Sequence, residues 1–268
     1  MTIRDVVDTI CAFHPPVDEN TTWDGFKCGN PGDDCTGIVT TCHATIDVIR
    51  RTIALNYNLI IVHEPTYYNG LDATDWLEGT NEVYAYKKKL LSDHGIAIWR
   101  NHDRIHNHKP DHIFYGVSKV LGWDNYINPE NPHLYRLPVT TPRKLASFLK
   151  EKLSLNGVRL VGNMDGEVSS IYYGGHINYG SGDTERWQTK MLESGGVDVI
   201  IPAEQIDWTT AAYVVDAWQM GKSKAIISLG HYNMEEPGMQ YAAEWISRLI
   251  DGKLPVKFIQ SSNTYQYN

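Results

Sequence analysis

Short, almost wholly apolar runs that alternate with amphipathic helix patterns constrain this 268-residue chain more than any other feature. Residues 37–41 (GIVTT), 58–62 (NLIIV), 96–99 (IAIW), 158–161, 169–173 and 197–201 read as strands, as does the run opening at Ile227. Such runs are strand-length and bounded by turn residues. Between them lie helix signatures. Thr2 and Asp5 bracket the start of a stripe of Ile3, Val6, Val7 and Ile10, which predicts a capped amphipathic helix. Thr45 caps a second helix with Ile46, Ile49 and Ile53 inward, ending near Asn56. Further helices are expected over residues 81–94, stopping at Gly95, and from Asp111 to a stop at Gly122. Thr141-Pro142 opens another, and residues 184–193, 209–220 and 237–250 complete the set. This rhythm predicts an α/β protein with a largely parallel or mixed sheet covered by helices.

Hydrophobic content of 42% and charged content of 21% fit a soluble globular chain. The net charge is −8, and no basic block is long enough to track a phosphate backbone. Lys87-Lys88-Lys89 reads as a solvated helix face, so nucleic acid is not expected as a partner. No run approaches 18 apolar residues and the first ten residues lack a signal-peptide core, so the expectation is a cytoplasmic protein without a membrane partner. Cys11, Cys28, Cys35 and Cys42 match no zinc-knuckle or redox spacing and read as reduced thiols, some of them core filler.

Residues 127–138, rich in Asn and Pro and without periodicity, are the expected lobe boundary. It gives an N-terminal lobe over 1–128 and a C-terminal lobe over 129–268, which the chain path could intertwine. Residues 54–65 and 193–204 share a form: helix end, polar turn, apolar strand, then a loop with Pro and Glu. Two lobes of related topology explain that echo.

Two of the strands end in His with a carboxylate close by: His63-Glu64, and His231 with Glu235. Imidazole and carboxylate are ligands that first-row divalent metals favour. The first pair is no HExxH helix, because residue 67 is Tyr and Pro65 disrupts a helix interior. Residues 99–112 (WRNHDRIHNHKPDH) hold Asp103, four residues past the IAIW strand and expected near the end of the strand that presents His63. Its two oxygens suit it to bridge cations, and His102 or His106 could add an imidazole. His108 and His112 read as part of a polar loop and a helix start, and Asn101 as a turn former or a group behind the ligands. His231 and Glu235 are four apart, but Pro237 keeps the residue before it out of the helical region. A loop or first turn is therefore expected there. The glycine-rich run 174–183 lacks the Walker lysine and the dinucleotide spacing. Cys42-His43 shows no third partner for a nucleophile.

In order and spacing, these pieces resemble the Nif-three-like family, also known as type 2 GTP cyclohydrolase I homologues. The segments Trp23-Asp24-Gly25, Cys28-Gly29-Asn30-Pro31 and Thr36-Gly37-Ile38-Val39 are similar to the family's opening. NLIIVHEP resembles its strand ending in His-His-Pro, Asn101-His102-Asp103 its Asn-x-Asp, and GHYNMEEPG its GH-x-x-x-E-x-P-G signature. The resemblance implies two similar α/β lobes with mixed sheets flanked by helices, and one or two divalent transition-metal ions (Zn, Mn, Fe or Co) in the cleft between them. The ligands it implies are His63, Asp103, His231 and Glu235. The family's second adjacent His falls at Glu64, which replaces an imidazole by a carboxylate and adds negative charge. The His that usually precedes the Asn-x-Asp falls at Trp99. The resemblance also implies a homo-oligomer, often a hexameric ring.

The function expected is a metal-dependent hydrolase acting on a small nucleotide, cyclic amide or phosphoester. Glu64 and Glu235 are its candidate catalytic carboxylates. The alternative is a non-catalytic metal-binding protein with a regulatory or scaffold role.

Overall fold

The computed structural model describes residues 1–175, 183–194 and 196–267. In chain order its elements are α1 (Ile3–Phe13), β1 (Gly25–Cys28), β2 (Ile38–Thr41), α2 (Ile46–Ala54), β3 (Leu59–Val62), α3 (Glu82–Asp93), β4 (Ala97–Arg100), α4 (Asp103–Asn107) and α5 (His112–Leu121). There follow β5 (Ile127–Asn128), β6 (Asn131–Thr140), α6 (Pro142–Lys152), β7 (Arg159–Gly162), β8 (Val168–Tyr173) and α7 (Asp183–Glu193). Last come β9 (Val199–Ile201), α8 (Ala212–Gln219), β10 (Ala225–Ser228), α9 (His231–Leu249) and β11 (Val256–Phe258). The result is the expected α/β class, with two mixed sheets flanked by helices. The chain divides into two compact units, Met1–Val117 with Glu235–Ser262 and Ser118–Met234 with Asn263–Asn268. The division is interleaved rather than a single break after residue 128, because β11 pairs with β2.

In the first unit the sheet order is β1-β4-β3-β2-β11. The four strands from β11 to β4 run parallel, and β1 closes one edge antiparallel to β4. Every residue of β2, β3 and β4 is buried, as near-continuous apolar strands must be when both faces are covered. Val39, Val48, Ile49, Ile60, Val62 and Ile98 form the centre of this core. The helices begin where the sequence places them. Thr2 and Asp5 form a reciprocal capping box on α1, and the Thr45 hydroxyl accepts from the Val48 N–H to cap α2. Val62 lies opposite Arg100 in the β3–β4 register. The residues that follow, His63 and Asn101, therefore leave the sheet side by side at its carboxyl edge, where open α/β sheets place their ligands.

In the second unit the order is β5-β6-β8-β9-β10-β7, with β8, β9 and β10 parallel and the outer strands antiparallel. Leu192, Val197, Ile200, Val214 and Ile226 fill its core. Three expectations are corrected here and in the first unit. Residues 127–138 are not an irregular boundary: they build β5 and most of β6. Pro132 and Pro138 fall where the strand register shifts, which is where a sheet tolerates a missing N–H. Residues 231–236 are not a loop, since α9 starts at His231 and carries Pro237 inside it. Lys87 is not solvated. It is buried and its ammonium donates to the Thr66 carbonyl at 2.6 Å, while Lys88 and Lys89 are exposed. Most of the glycine-rich run 174–183 lies outside the described residues. Among the described residues no helix is long and apolar enough to cross a membrane.

Candidate metal centre

The first unit gathers His63, Glu64 and Glu235 so that one ligand atom of each lies within 4.8 Å of the others, all three buried. His63 also forms a second group of the same tightness with His102 and His106. The His63 and His102 rings stack 4.6 Å apart, and His106 meets both edge-on at 4.9 and 5.0 Å.

The hydrogen bonds around these rings fix their tautomers. Nδ1 of His63 faces the backbone carbonyl of Asn101 at 3.2 Å. A carbonyl can only accept, so Nδ1 carries a proton and Nε2 is left for another partner. His102 Nδ1 donates to Asp103 Oδ1 and His106 Nδ1 to Asp111 Oδ2, each at 2.8 Å. All three imidazoles thus commit Nδ1 to an oxygen acceptor and keep Nε2 for another partner, the arrangement found behind metal-bound histidines. His63 Nε2 has no hydrogen-bond partner among the described residues and lies 3.4 Å from Glu235 Oε2. An imidazole nitrogen and a carboxylate oxygen facing each other in a buried space call for positive charge between them, a proton or a metal ion. This donor set of imidazole and carboxylate fits a first-row divalent ion.

Charges are arranged to match. Burial lowers the His102 pKa to about 4, reinforced by His63 and His106 and only partly opposed by Asp103, so the ring is neutral at physiological pH. Burial acts the same way on His106, but Asp111 and the charges of Glu235 and Glu64 outweigh it and hold that ring above the usual value. Asp103 is pulled below the usual carboxylate range because bonds from His102, the Trp23 N–H and the Thr22 hydroxyl outweigh its desolvation. The extra negative charge that Glu64 brings is met by Arg100, whose Nη2 lies 3.7 Å from Glu64 Oε2. Arg100 is itself buried and donates to the carbonyls of His63 and Gly70 at 3.1 and 2.9 Å.

Of the residues expected at the site, His63, Glu64 and Glu235 come together, with His102 and His106 beside them. Asp103 stands one step back. Both of its oxygens are engaged, Oδ1 by His102 and Oδ2 by Thr22 and Trp23, so it orients His102. His231 belongs to the second unit, where its Nδ1 pairs with Glu204, four residues ahead of Glu235 on α9. Cys42 is fully buried and its thiol pKa is raised well above the usual value, chiefly by desolvation, so it is no nucleophile.

Two functional residues escaped the sequence argument. Arg100, the last residue of β4, supplies the counter-charge just described. Asp24 accepts from the N–H groups of His102, Asp103 and Arg104 at 2.6, 2.8 and 3.1 Å and from Arg104 Nη1 at 3.0 Å. It caps the turn that carries two of the site's residues. Asp24 lies in the Trp-Asp-Gly segment, and that position was its one available signal.

The profile of Duf34/NIF3 (NGG1p interacting factor 3) matches residues 1–265. A Staphylococcus aureus (strain Mu50) protein named GTP cyclohydrolase 1 type 2 homolog is 25% identical over 235 residues, 86% of this chain and 60% of that one. A Staphylococcus epidermidis protein of the same name is 26% identical over 156 residues, 57% of this chain and 41% of that one. The chain therefore spans about three fifths or less of these relatives' length. Among solved structures, a Bacillus cereus protein related to NIF3 superposes with a TM-score of 0.72 at 14% identity, covering 100% of this chain and 99% of the other. A Staphylococcus aureus protein does so with a TM-score of 0.70 at 19% identity and the same coverage.

Proposed function

The chain belongs to the Duf34/NIF3 family, and we propose that it is a metal-dependent hydrolase of a small substrate, with His63 and Glu235 holding the ion, His102 and His106 within its reach, and Glu64 beside it as the proton shuttle. The observation that carries this reading is the buried group of His63, Glu64 and Glu235, in which His63 Nε2 faces Glu235 Oε2 at 3.4 Å with no hydrogen-bond partner among the described residues. When bound, a divalent ion supplies Lewis acidity and lowers the pKa of a coordinated water.

The chain's own groups have the remaining tasks. Asp103 and Asp111 hold the His102 and His106 rings in the tautomer that offers Nε2. Glu64, steadied by Arg100, is the carboxylate placed to accept a proton from an attacking water and return it to a leaving group. Glu235 balances cationic charge from the other side. The substrate class is a nucleotide, a cyclic amide or a phosphoester. The name of the staphylococcal relatives favours the nucleotide.

A second reading has its own support: His63, Glu64 and Glu235 are all buried, as the ligands of a closed structural site are. Metal content of protein purified without chelator, compared with His63→Ala, tests the centre first. Near-zero metal that added Mn²⁺ or Zn²⁺ does not raise would overturn both readings. Turnover of nucleotides, phosphodiesters or cyclic amides, lost in Glu64→Gln with metal retained, supports the hydrolase. A metal-replete protein inert to the whole panel supports the structural role.

A further inference from the structure

His14, His108 and His112, none of which belongs to the centre above, also bring one ring nitrogen each within 4.8 Å of the other two. They come from three helix boundaries of the first unit: His14 follows α1, His108 follows α4 and His112 opens α5. His14 and His112 are buried and His108 is partly so. Nδ1 of His14 lies 3.3 Å from Nδ1 of His108. Two imidazole nitrogens on one tetrahedral zinc, each at about 2.0–2.1 Å, stand roughly 3.3 Å apart.

The simpler account is a packed aromatic cluster with one His–His hydrogen bond. Phe13 stacks on His108 at 4.8 Å, and Trp245 meets His14 edge-on at 5.2 Å. That account leaves Nδ1 of His112 buried without a hydrogen-bond partner among the described residues, and Oδ1 of Asn101 likewise. Each such atom costs about 1–3 kcal/mol. A cation at this position would satisfy the His112 nitrogen. The Asn101 amide lies 3.4 Å from His14 Nε2, and with its oxygen turned to that nitrogen it accepts the His14 proton. The His14 lone pair then moves to Nδ1, facing His108 and His112, and a cation there meets three imidazole lone pairs.

We infer that His14, His108 and His112 form a second metal site, a three-histidine site for a single divalent ion of the zinc class. The ligand set selects the metal. Three neutral imidazoles without a carboxylate suit Zn²⁺, Co²⁺, Ni²⁺ or Cu²⁺ and disfavour Mg²⁺ and Ca²⁺. His112 also lines a groove of about 500 Å³ with Phe13, Tyr115, Tyr241 and Trp245. The groove reaches the site at His112. Asn101 connects the two centres, since its carbonyl orients His63 and its amide faces His14.

The test is Co²⁺ titration of chelator-stripped protein, reading bound equivalents by dialysis and the visible absorption of four-coordinate Co²⁺. His108→Ala is the main variant because His108 is partly exposed, and His112→Gln is the second. Circular dichroism checks that both are folded. The expectation is that each folded variant loses one equivalent and the four-coordinate band that the wild type shows, and that His63→Ala, which loses the equivalent of the first centre, keeps that band and the equivalent that goes with it. Unchanged stoichiometry and spectrum in folded His108→Ala and His112→Gln would overturn the site. So would loss of the band in His63→Ala alone. Failure of the first centre appears separately, as a wild type whose one equivalent survives His63→Ala and is lost in His108→Ala.

Discussion

At the scale of single residues, two buried charges carry opposite lessons. Asp24 is fully satisfied: three backbone N–H groups and a guanidinium surround its carboxylate. Asp24→Asn keeps its shape but removes the charge and one acceptor. The turn bearing His102 and Asp103 then loosens, and metal affinity at the His63 centre should fall by about 10–100-fold, the usual effect of disturbing groups behind a ligand. Competitive titration against a chromophoric chelator measures this, and an unchanged affinity would exclude a positioning role. Lys87 is the opposite case. Burial lowers its pKa from 10.5 to about 8, with Asp72 and Cys28 opposing weakly. At this site the unfolded chain therefore holds more protons between pH 8 and 10.5, so the contribution of Lys87 to stability should rise with pH across that window. Below about pH 8 the penalty is constant, on the order of 3 kcal/mol. Lys87→Met removes it together with the bond to Thr66, so the variant should be as stable as the wild type or more so at pH 7. Its advantage over the wild type should shrink from pH 7 to pH 9.5. Urea midpoints at pH 7 and pH 9.5 for both proteins decide the matter. From sequence, Lys87 could not be separated from Lys88 and Lys89, because a run of three lysines on a helix does not say which one turns inward.

At the scale of elements, the strands were legible and the first turns of the longest helix were not, for physical reasons. Runs such as LIIV and AIIS have no polar face, so they need a covered sheet, and their ends fix where His63 and Asn101 emerge. The segment 231–236 obeys no such local rule. Pro237 penalises helix in the residues before it, yet α9 runs from His231 through it. Tertiary contacts outweigh that local cost. Glu236 accepts the Ser261 N–H, and Ser261 in turn bonds Thr41 at 3.1 Å and the His43 N–H at 2.8 Å. The helix is also pressed against α5 at a glycine contact. A Cβ on Gly238 would stand 2.7 Å from Ile113 Cα, and one on Gly116 would stand 2.8 Å from Gly238 Cα. These clashes involve backbone, which cannot swing aside. Gly238→Ala should therefore force the helices apart and destabilise by about 1–3 kcal/mol or more, although alanine is the better helix former. The same separation would shift Glu235, three residues away, so metal should be lost along with stability. A calorimetric midpoint equal to or above the wild type's would show that the close approach is not needed.

For the whole molecule, the common theme is a store of neutral histidine. Burial holds His14 at about 3, and His43, His102 and His112 at about 4, against an ordinary value of 6.5. Each stays unprotonated in the fold and takes up its proton only on unfolding, so between pH 6.5 and 4 the unfolded chain binds more protons. The stability these rings leave intact above pH 6.5 is lost as pH falls through that window. His106, held above the usual value by Asp111, acts in the reverse sense and offsets part of the loss. The net expectation is a steep fall in the urea midpoint from pH 7 to pH 4.5, with proton uptake on unfolding approaching three. A midpoint flat across that range would mean that these imidazoles are already protonated in the fold. Metal sharpens the effect. A site that binds the folded chain and needs unprotonated nitrogen adds stability at pH 7 in proportion to the logarithm of ion concentration. That addition should vanish at the acid end, where protons compete for the same lone pairs. Saturating Zn²⁺ should therefore raise the midpoint at pH 7 and barely move it at pH 4.5. In His63→Ala the residual zinc effect at pH 7 then measures the His14 site alone, and its removal by His108→Ala would place the second ion thermodynamically as well as spectroscopically.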